Sequence, residues 1–208
     1  MINKICIGTV QFGQDYGIAN KSGKVKKSEA FKIINSARKN NINFLDTAVT
    51  YGESEKLLGD IGVSNFNVVT KLPSYPNNCY DPISWIRGHV KKSLKNMKLK
   101  SLYGLLLHRS DDFLRDSSLK IKEGLMQLKF EGLVKKIGVS IYHPNELKKI
   151  EKIIKPDLVQ APINLIDQRL VTSGWLQKLH DEGVEVHSRS SFLQGLLLMP
   201  RNQIPSKF

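Results

Sequence analysis

Residues 8–17 read GTVQFGQDYG and continue from a predicted strand, KICIGT, at residues 4–9. A dinucleotide-binding sheet would carry the spacing G-x-G-x-x-G at this point, with a helix starting directly after it. The glycines here have a different spacing, and the next predicted helix begins only near Ser28. The stretch therefore favours an eight-stranded barrel over a doubly wound open sheet.

Short β-branched runs alternate with amphipathic stretches along the rest of the chain. The predicted strands are 4–9, 42–46, 67–71, 102–107, 134–140, 157–160 and 184–188. The first predicted helix follows Ser28, which could cap it. The others cover 53–59, begin at Asp81-Pro82, cover 118–131, run from Pro144 through Ile154, and cover 169–182. This alternation predicts parallel strands joined by right-handed crossovers. With no dinucleotide fingerprint, the expected fold class is α/β, of the (β/α)8 TIM-barrel type.

Every predicted strand ends in, or is followed at once by, a polar residue. These residues are Thr9, Asp46, Lys71, His108, Ser140, Gln160 and the pair Ser188 and Arg189. In a parallel barrel the carboxyl ends of all strands open on one face, and that face carries the active site. A single polar residue after a strand marks only the point where the chain meets water. Seven in succession predict a shared functional site.

Tyr51 follows the second strand end in the stretch NFLDTAVTYGESE, residues 43–55. A tyrosine has an ordinary pKa of about 10, so it needs a nearby cation to donate a proton near neutral pH. Lys71 is expected to lower the pKa of Tyr51, and Asp46 to hold Lys71 in its protonated form. His108 could orient a carbonyl or share the proton. These groups suit the reduction of a carbonyl.

Hydrolysis and metal chemistry fit the strand ends less well. The set has no hydrolase nucleophile, and it has neither the third carboxylate nor the second histidine that a metal site would want. No metal site is therefore predicted. A carbonyl reduction also needs a hydride, which must come from a cofactor.

Several stretches resemble the aldo-keto reductase superfamily. They are GTVQFG (8–13), LDTAVTYGESE (45–55), VTKLP (69–73), LLLH (105–108), GLVKKIGVS (132–140) and VQAPINLID (159–167). The resemblance implies a (β/α)8 barrel and NADPH-dependent reduction of an aldehyde or ketone, or the reverse alcohol oxidation. It also implies a catalytic tetrad of Asp46, Tyr51, Lys71 and His108, with Tyr51 as the general acid.

The same resemblance predicts the residues that bind NADP(H). Ser140 and Gln160 would hold the nicotinamide carboxamide, and Thr9, Ser188 and Arg189 complete the predicted set. Arg189 stands where the family often stacks a tyrosine on the nicotinamide, and a guanidinium plane can also stack. Ile141 departs from the family, which often has an asparagine at that position.

Two stretches further resemble a bacterial subgroup that is often met near surface-polysaccharide or sugar-modification genes. They are GTVQFGQDYGIANKSG at 8–23 and VHSRSSFLQGLLLMP at 186–200. The expected substrate is therefore a small-molecule carbonyl compound, which could be sugar-derived.

The chain is short for a complete barrel. It has 208 residues, and the fold usually needs about 250. We therefore expect one domain over residues 1–208, an incomplete barrel truncated at its C-terminus, without strand eight and its helix. Its open edges could support self-association. The alternative function is a catalytically impaired barrel that acts as a binding or assembly subunit.

Composition constrains partners and location. The net charge is +13, but the lysines are dispersed and form no basic stripe with interleaved aromatic residues, so no specific nucleic-acid partner is predicted. No apolar run is long enough to span a membrane, and the N-terminus does not resemble a signal peptide. The two cysteines, Cys6 and Cys79, have no metal-binding spacing. They predict reduced thiols in a cytoplasmic protein, with Cys6 in the core.

Overall fold

The computed structural model describes residues 4–76, 79–206 and 208, and it contains one parallel sheet. The seven strands are β1 (Cys6–Gly8), β2 (Phe44–Asp46), β3 (Asn67–Leu72), β4 (Leu102–Leu107), β5 (Val134–Ser140), β6 (Leu158–Pro162) and β7 (Glu185–Arg189). They lie side by side in chain order, each parallel to the next. The architecture is an incomplete (β/α)8 barrel, which confirms the predicted fold class.

Helices follow the strands along the chain. They are α1 (Val10–Gly13), α2 (Lys27–Lys39), α3 (Ser54–Ile61), α4 (Pro82–Met97), α5 (Ser118–Phe130), α6 (Leu147–Ile150), α7 (Arg169–Thr172) and α8 (Trp175–Asp181). Short 3-10 helices occur at Ser110–Leu114, Pro144–Glu146, Leu193–Leu198 and Arg201–Gln203. Within the described ranges, no helix has both the length and the apolar character needed to cross a lipid bilayer.

The sheet register brings the strand ends together at one edge. Asp46 at the end of β2 pairs with Gly8 of β1 and Val69 of β3. Ser140 at the end of β5 pairs with Gln160 of β6. Because all seven strands run in the same direction, their polar carboxyl-terminal residues share this edge.

Helix α4 illustrates how the outer layer forms. Asp81 caps its first turn by accepting a hydrogen bond from the Ser84 backbone N–H at 3.1 Å, and Pro82 occupies the first helical position as predicted. The apolar face of α4 includes Ile86 and Val90, which are fully buried. Burying side chains of this size contributes about 1.5–3 kcal/mol each, so the packed face holds α4 on the sheet.

Five local expectations were wrong. Helix α1 follows β1 directly, where no helix was expected before Ser28, although it has only four residues. Helix α2 begins at Lys27, and no side chain caps it, so Ser28 lies inside the first turn. The predicted helix over 169–182 is divided into α7 and α8, because Gly174 takes a left-handed φ of 78° between them. The helix after Pro144 ends at Ile150, earlier than expected. Cys6 is exposed, since β1 is an edge strand of the sheet.

Candidate active site

A cavity of about 650 Å³ opens at the carboxyl edge of the sheet. Six of the nine predicted site residues line it: Asp46, Tyr51, His108, Ser140, Gln160 and Arg189. Lys71 lies beneath the cavity, where it contacts Asp46. Thr9 and Ser188 are outside its lining. The structure therefore brings the four tetrad residues together, with three of the five predicted cofactor-binding residues beside them.

A buried ion pair forms the floor of the site. The Lys71 ammonium lies 2.6 and 2.7 Å from the two carboxylate oxygens of Asp46, and it also donates to the Thr47 carbonyl at 3.0 Å. The Lys71 side chain is 1% exposed and that of Asp46 is 16% exposed. The Gln160 side-chain amide donates to Asp46 Oδ1 at 2.8 Å. The two Asp46 oxygens and the Thr47 carbonyl thus give the Lys71 ammonium three acceptors, and a buried charge requires such partners.

Close contact between two backbone segments positions Tyr51. The turn after β2 places Gly52, with a φ of 53°, against Gly13 at the end of α1. A Cβ atom on Gly13 would lie 1.6 Å from the Tyr51 carbonyl oxygen, and one on Gly52 would lie 2.5 Å from the Gly13 carbonyl oxygen. Side chains at these positions would push the segments apart. The glycines of GTVQFG and TYGES therefore set where the phenol lies.

The electrostatic surroundings keep the Tyr51 phenol protonated. Burial raises the pKa of Tyr51 above its ordinary value and outweighs the nearby Lys71 ammonium, which lowers it. The Lys71 nitrogen lies 5.1 Å from the centre of the Tyr51 ring. The expectation that Lys71 lowers this pKa is correct for its own contribution but wrong for the net direction. The chain without a bound ligand thus holds a neutral proton donor across the neutral range.

His108 lies beside Tyr51 as a neutral imidazole. The two rings meet edge to face, with centroids 5.9 Å apart. Burial, reinforced by the positive charge of Lys71, lowers the pKa of His108 to about 4. Its Nδ1 atom lies 3.3 Å from the Thr50 hydroxyl oxygen. An uncharged imidazole with one N–H can direct a hydrogen bond at a carbonyl oxygen without competing as the acid.

Thr9 and Ser188 lie apart from the cavity. Thr9 is fully buried, and both its backbone N–H and its hydroxyl donate to the Asp46 carbonyl at 2.9 Å. It therefore fixes the end of β2. Ser188 lies on a second cavity of about 830 Å³ between β1 and β7, and its hydroxyl is 3.3 Å from that of Ser191. Direct contact of either residue with a cofactor stays a prediction.

Arg189 is stacked on a tyrosine that the sequence reading did not include. Its guanidinium carbon lies 4.2 Å from the centre of the Tyr142 ring, and its Nη2 donates to the Ile141 carbonyl at 2.9 Å. Ile141, at the position where the family often has an asparagine, thus contacts Arg189 through its backbone carbonyl. Tyr142 and Arg189 both line the cavity and form one wall of it.

A loop over residues 14–25 supplies further cavity residues that sequence reasoning missed. Asn20 organises it by donating to the carbonyls of Tyr16 and Gly23, each at 3.0 Å. The Ala19 N–H donates to the Gln194 carbonyl at 3.2 Å, which joins the loop to the segment after β7. The run DYGIANKSG contains the glycine and asparagine typical of turns. That composition predicts a loop but does not indicate that it folds over the cavity.

Comparison with known proteins agrees with this geometry. The sequence model of the aldo/keto reductase family matches residues 4–208. The chain is 28% identical over 195 residues to the uncharacterized oxidoreductase YqkF of Bacillus subtilis, covering 88% of this chain and 62% of that protein. It is 32% identical over 143 residues to the chloroplastic pyridoxal reductase of Arabidopsis thaliana, covering 61% of this chain and 38% of the relative. The chain thus spans less than two thirds of these curated relatives.

Solved structures support the fold. An aldo-keto reductase from Bacillus halodurans superposes with a TM-score of 0.76 at 23% identity, covering 98% of this chain and 66% of that one. A glycerol dehydrogenase from Gluconobacter oxydans gives 0.75 at 22% identity, covering 99% and 65%. The family match extends over nearly the whole chain, and the chain belongs to the aldo/keto reductase family.

Proposed function

We propose that this chain reduces an aldehyde or ketone, or oxidises the corresponding alcohol, by hydride transfer from NADP(H), with Tyr51 as the general acid. The observation that carries the proposal is the position of the Tyr51 phenol in the cavity wall, with its ring centre 5.1 Å from the Lys71 ammonium that is ion-paired with Asp46. A neutral phenol can give up a proton, and a fixed ammonium nearby stabilises the phenolate that remains.

The donor set fits the nicotinamide end of the cofactor. Ser140 is buried to 2% exposure, and its hydroxyl has no hydrogen-bond partner within the described residues. The Gln160 NH₂ group binds Asp46, which leaves its carbonyl oxygen to accept a hydrogen bond. A carboxamide needs both a donor and an acceptor, and these side chains offer both. When bound there, the nicotinamide supplies the hydride.

The chain's own residues then complete the reduction. As a C–H bond forms at the carbonyl carbon, the Tyr51 O–H donates its proton to the carbonyl oxygen, and an alcohol results. Lys71 favours the phenolate that forms, while Asp46 keeps Lys71 in position. His108 directs a hydrogen bond at the carbonyl oxygen and so orients it. In alcohol oxidation the same groups act in reverse, with Tyr51 as the base.

A sugar-derived carbonyl compound is the substrate class that we propose. The cavity wall is rich in amide and hydroxyl side chains, which suit a ligand with many hydroxyl groups. They include Gln11, Gln14, Tyr16, Asn20, Ser190, Ser191 and Gln194. A panel of hydroxylated and purely apolar aldehydes would test this. The hydroxylated members should have the higher kcat/KM, and a preference for the apolar members would contradict the proposal.

Substitution of Tyr51 tests the proposed reaction. Purified Tyr51→Phe should lose NADPH-dependent carbonyl reduction at saturating NADPH while keeping the wild-type circular dichroism spectrum. Tyr80→Phe is the matched control, since Tyr80 is 95% exposed and away from the cavity. It should keep full activity. Wild-type turnover by Tyr51→Phe would refute the assignment of the acid.

One observation favours a second role, as a binding or assembly subunit. The lining of the 830 Å³ cavity between β1 and β7 is mainly apolar, with Ile5, Phe44 and Val186 among its residues, and it also includes Lys4 and Glu185. In the described residues the facing edges of β1 and β7 do not pair with each other. Unpaired strand edges promote association, so we propose self-association at this opening. Sedimentation over a concentration series tests it, and a monomer at every concentration would argue against it.

The thiols support a cytoplasmic location as part of this proposal. Cys6 and Cys79 are both free in the structure. Free thiols persist in reducing compartments, whereas oxidising compartments favour disulfides. Microscopy of the fluorescently tagged chain would test the location, and signal confined to an oxidising compartment would contradict it.

A further inference from the structure

Thr50 lies directly before the proposed acid and next to the proposed orienting histidine. We propose that Thr50 is a positioning residue that selects the tautomer of His108, with the proton on Nε2 and not on Nδ1. The inference rests on the proposed function of the site for its catalytic consequence. The tautomer itself can be measured without turnover.

The geometry identifies the ring nitrogen that Thr50 contacts. The Thr50 hydroxyl oxygen lies 3.3 Å from His108 Nδ1. Within the described residues no other hydrogen bond involves the His108 ring, so Nε2 remains available to the cavity that His108 lines. A hydroxyl can donate or accept, whereas a carbonyl oxygen can only accept. An imidazole that binds a carbonyl through Nε2 must therefore carry its proton there, and Nδ1 is then a hydrogen-bond acceptor. Thr50 is placed to be its donor.

The choice of tautomer exists only because the ring is neutral. Burial is the main cause of the lowered pKa of His108, and Lys71, Arg189 and Arg109 act in the same direction. Asp46 raises this pKa, with an effect smaller than those of burial and Lys71 but larger than those of the two arginines. A neutral imidazole has one proton to place, and the hydrogen bond at one nitrogen decides where it goes.

The backbone around Thr50 is fixed independently of its side chain. The Val49 N–H donates to the Lys71 carbonyl at 3.0 Å, and the Tyr51 N–H donates to the Ala48 carbonyl at 3.0 Å. Thr50 itself is exposed, so its hydroxyl is not needed to fill the core. Replacement by valine keeps the β-branched shape and removes only the hydrogen-bonding group. Serine keeps the hydroxyl and removes the methyl group.

The test compares the wild-type chain with Thr50→Val and Thr50→Ser by long-range ¹⁵N–¹H correlation of the histidine rings near neutral pH. The His108 signal is assigned by its loss in His108→Gln. His143 is an internal standard, because its Nδ1 accepts from the Asn145 backbone N–H at 3.1 Å, which requires the Nε2–H form. Wild type and Thr50→Ser should give the same tautomer pattern at His108 as at His143. Thr50→Val should shift His108 towards a mixture and leave His143 unchanged.

Turnover provides the second measurement. Losing one neutral hydrogen bond should lower kcat by roughly two- to tenfold in Thr50→Val with little change in KM, and Thr50→Ser should restore it. An unchanged His108 tautomer in Thr50→Val would overturn the proposal whether or not the chain is active. A shifted tautomer in a chain without carbonyl reduction would confirm the role of Thr50 and contradict only the proposed function.

Discussion

Removing the negative charge of Asp46 gives the sharpest stability prediction. The substitution Asp46→Asn keeps the shape of the side chain but leaves the Lys71 ammonium, 1% exposed, without its counter-ion. The Thr47 carbonyl and the new amide oxygen would still accept hydrogen bonds from it. Neither carries a full charge, so most of the electrostatic compensation for burying the ammonium is lost.

The expected loss is large for a single substitution. Breaking a buried ion pair by removing one partner costs about 3–5 kcal/mol of unfolding free energy. At a denaturant slope of about 2 kcal/mol per molar urea, the unfolding midpoint should fall by about 2 M. The matched control is Asp60→Asn, because Asp60 pairs with Lys27 at 2.9 Å on the surface with 36% and 61% of the side chains exposed. Water already solvates that pair, so its midpoint should hardly move.

Urea unfolding followed by circular dichroism measures both variants. If Asp46→Asn is too unstable to purify, the double variant Asp46→Asn/Lys71→Met provides the second measurement, since it removes the stranded charge and should recover part of the loss. The reasoning is refuted if Asp46→Asn shifts the midpoint no more than Asp60→Asn does.

Two further predictions concern His108 and Gly13. The pKa of His108 lies near 4, below its ordinary value of 6.5, so the unfolded chain takes up a proton first and stability falls as the pH drops between these values. His108→Gln should remove about 1 kcal/mol of that loss in unfolding free energy, after allowance for partial solvent screening. If the melting temperatures of wild type and variant fall equally between pH 7 and pH 4.5, the prediction is contradicted. Gly13→Ala should abolish reductase activity, because its Cβ would collide with the Tyr51 carbonyl at 1.6 Å. The control is Gly88→Ala within α4, where the new Cβ meets nothing within 4 Å, so activity should persist. Equal activities of Gly13→Ala and Gly88→Ala would argue against the glycine contact.

The fold could be predicted because parallel α/β architecture follows from local patterns. Strands β4 and β5 have the predicted bounds. The nearly continuous apolar run LYGLLL of β4 is typical of a strand that is covered on both faces. The break between α7 and α8 at Gly174 could not be predicted from the sequence pattern. A glycine inside an amphipathic stretch is compatible with a continuous helix, and its left-handed φ depends on packing that the sequence pattern does not contain.

The candidate site was predictable where it depends on strand ends. Asp46, Lys71 and His108 meet because the sheet register aligns the strands that carry them. The stacking of Arg189 on Tyr142 and the contact of Thr50 with His108 depend on side-chain directions in loops. The net direction of the Tyr51 pKa was also misjudged, because a sequence reveals a neighbouring cation more readily than the extent of burial.

The pH dependence of kcat/KM for carbonyl reduction tests most directly whether Tyr51 is the acid. Because the pKa of the Tyr51 phenol is raised above its ordinary value of 10, the rate constant should stay level through neutral pH and fall only above pH 10. Circular dichroism at each pH would separate this limb from any loss of the fold, and Tyr51→Phe, measured alongside at saturating NADPH, should show no turnover. A fall in kcat/KM centred at about pH 6.5, the ordinary pKa of histidine, with activity retained in Tyr51→Phe, would contradict the account.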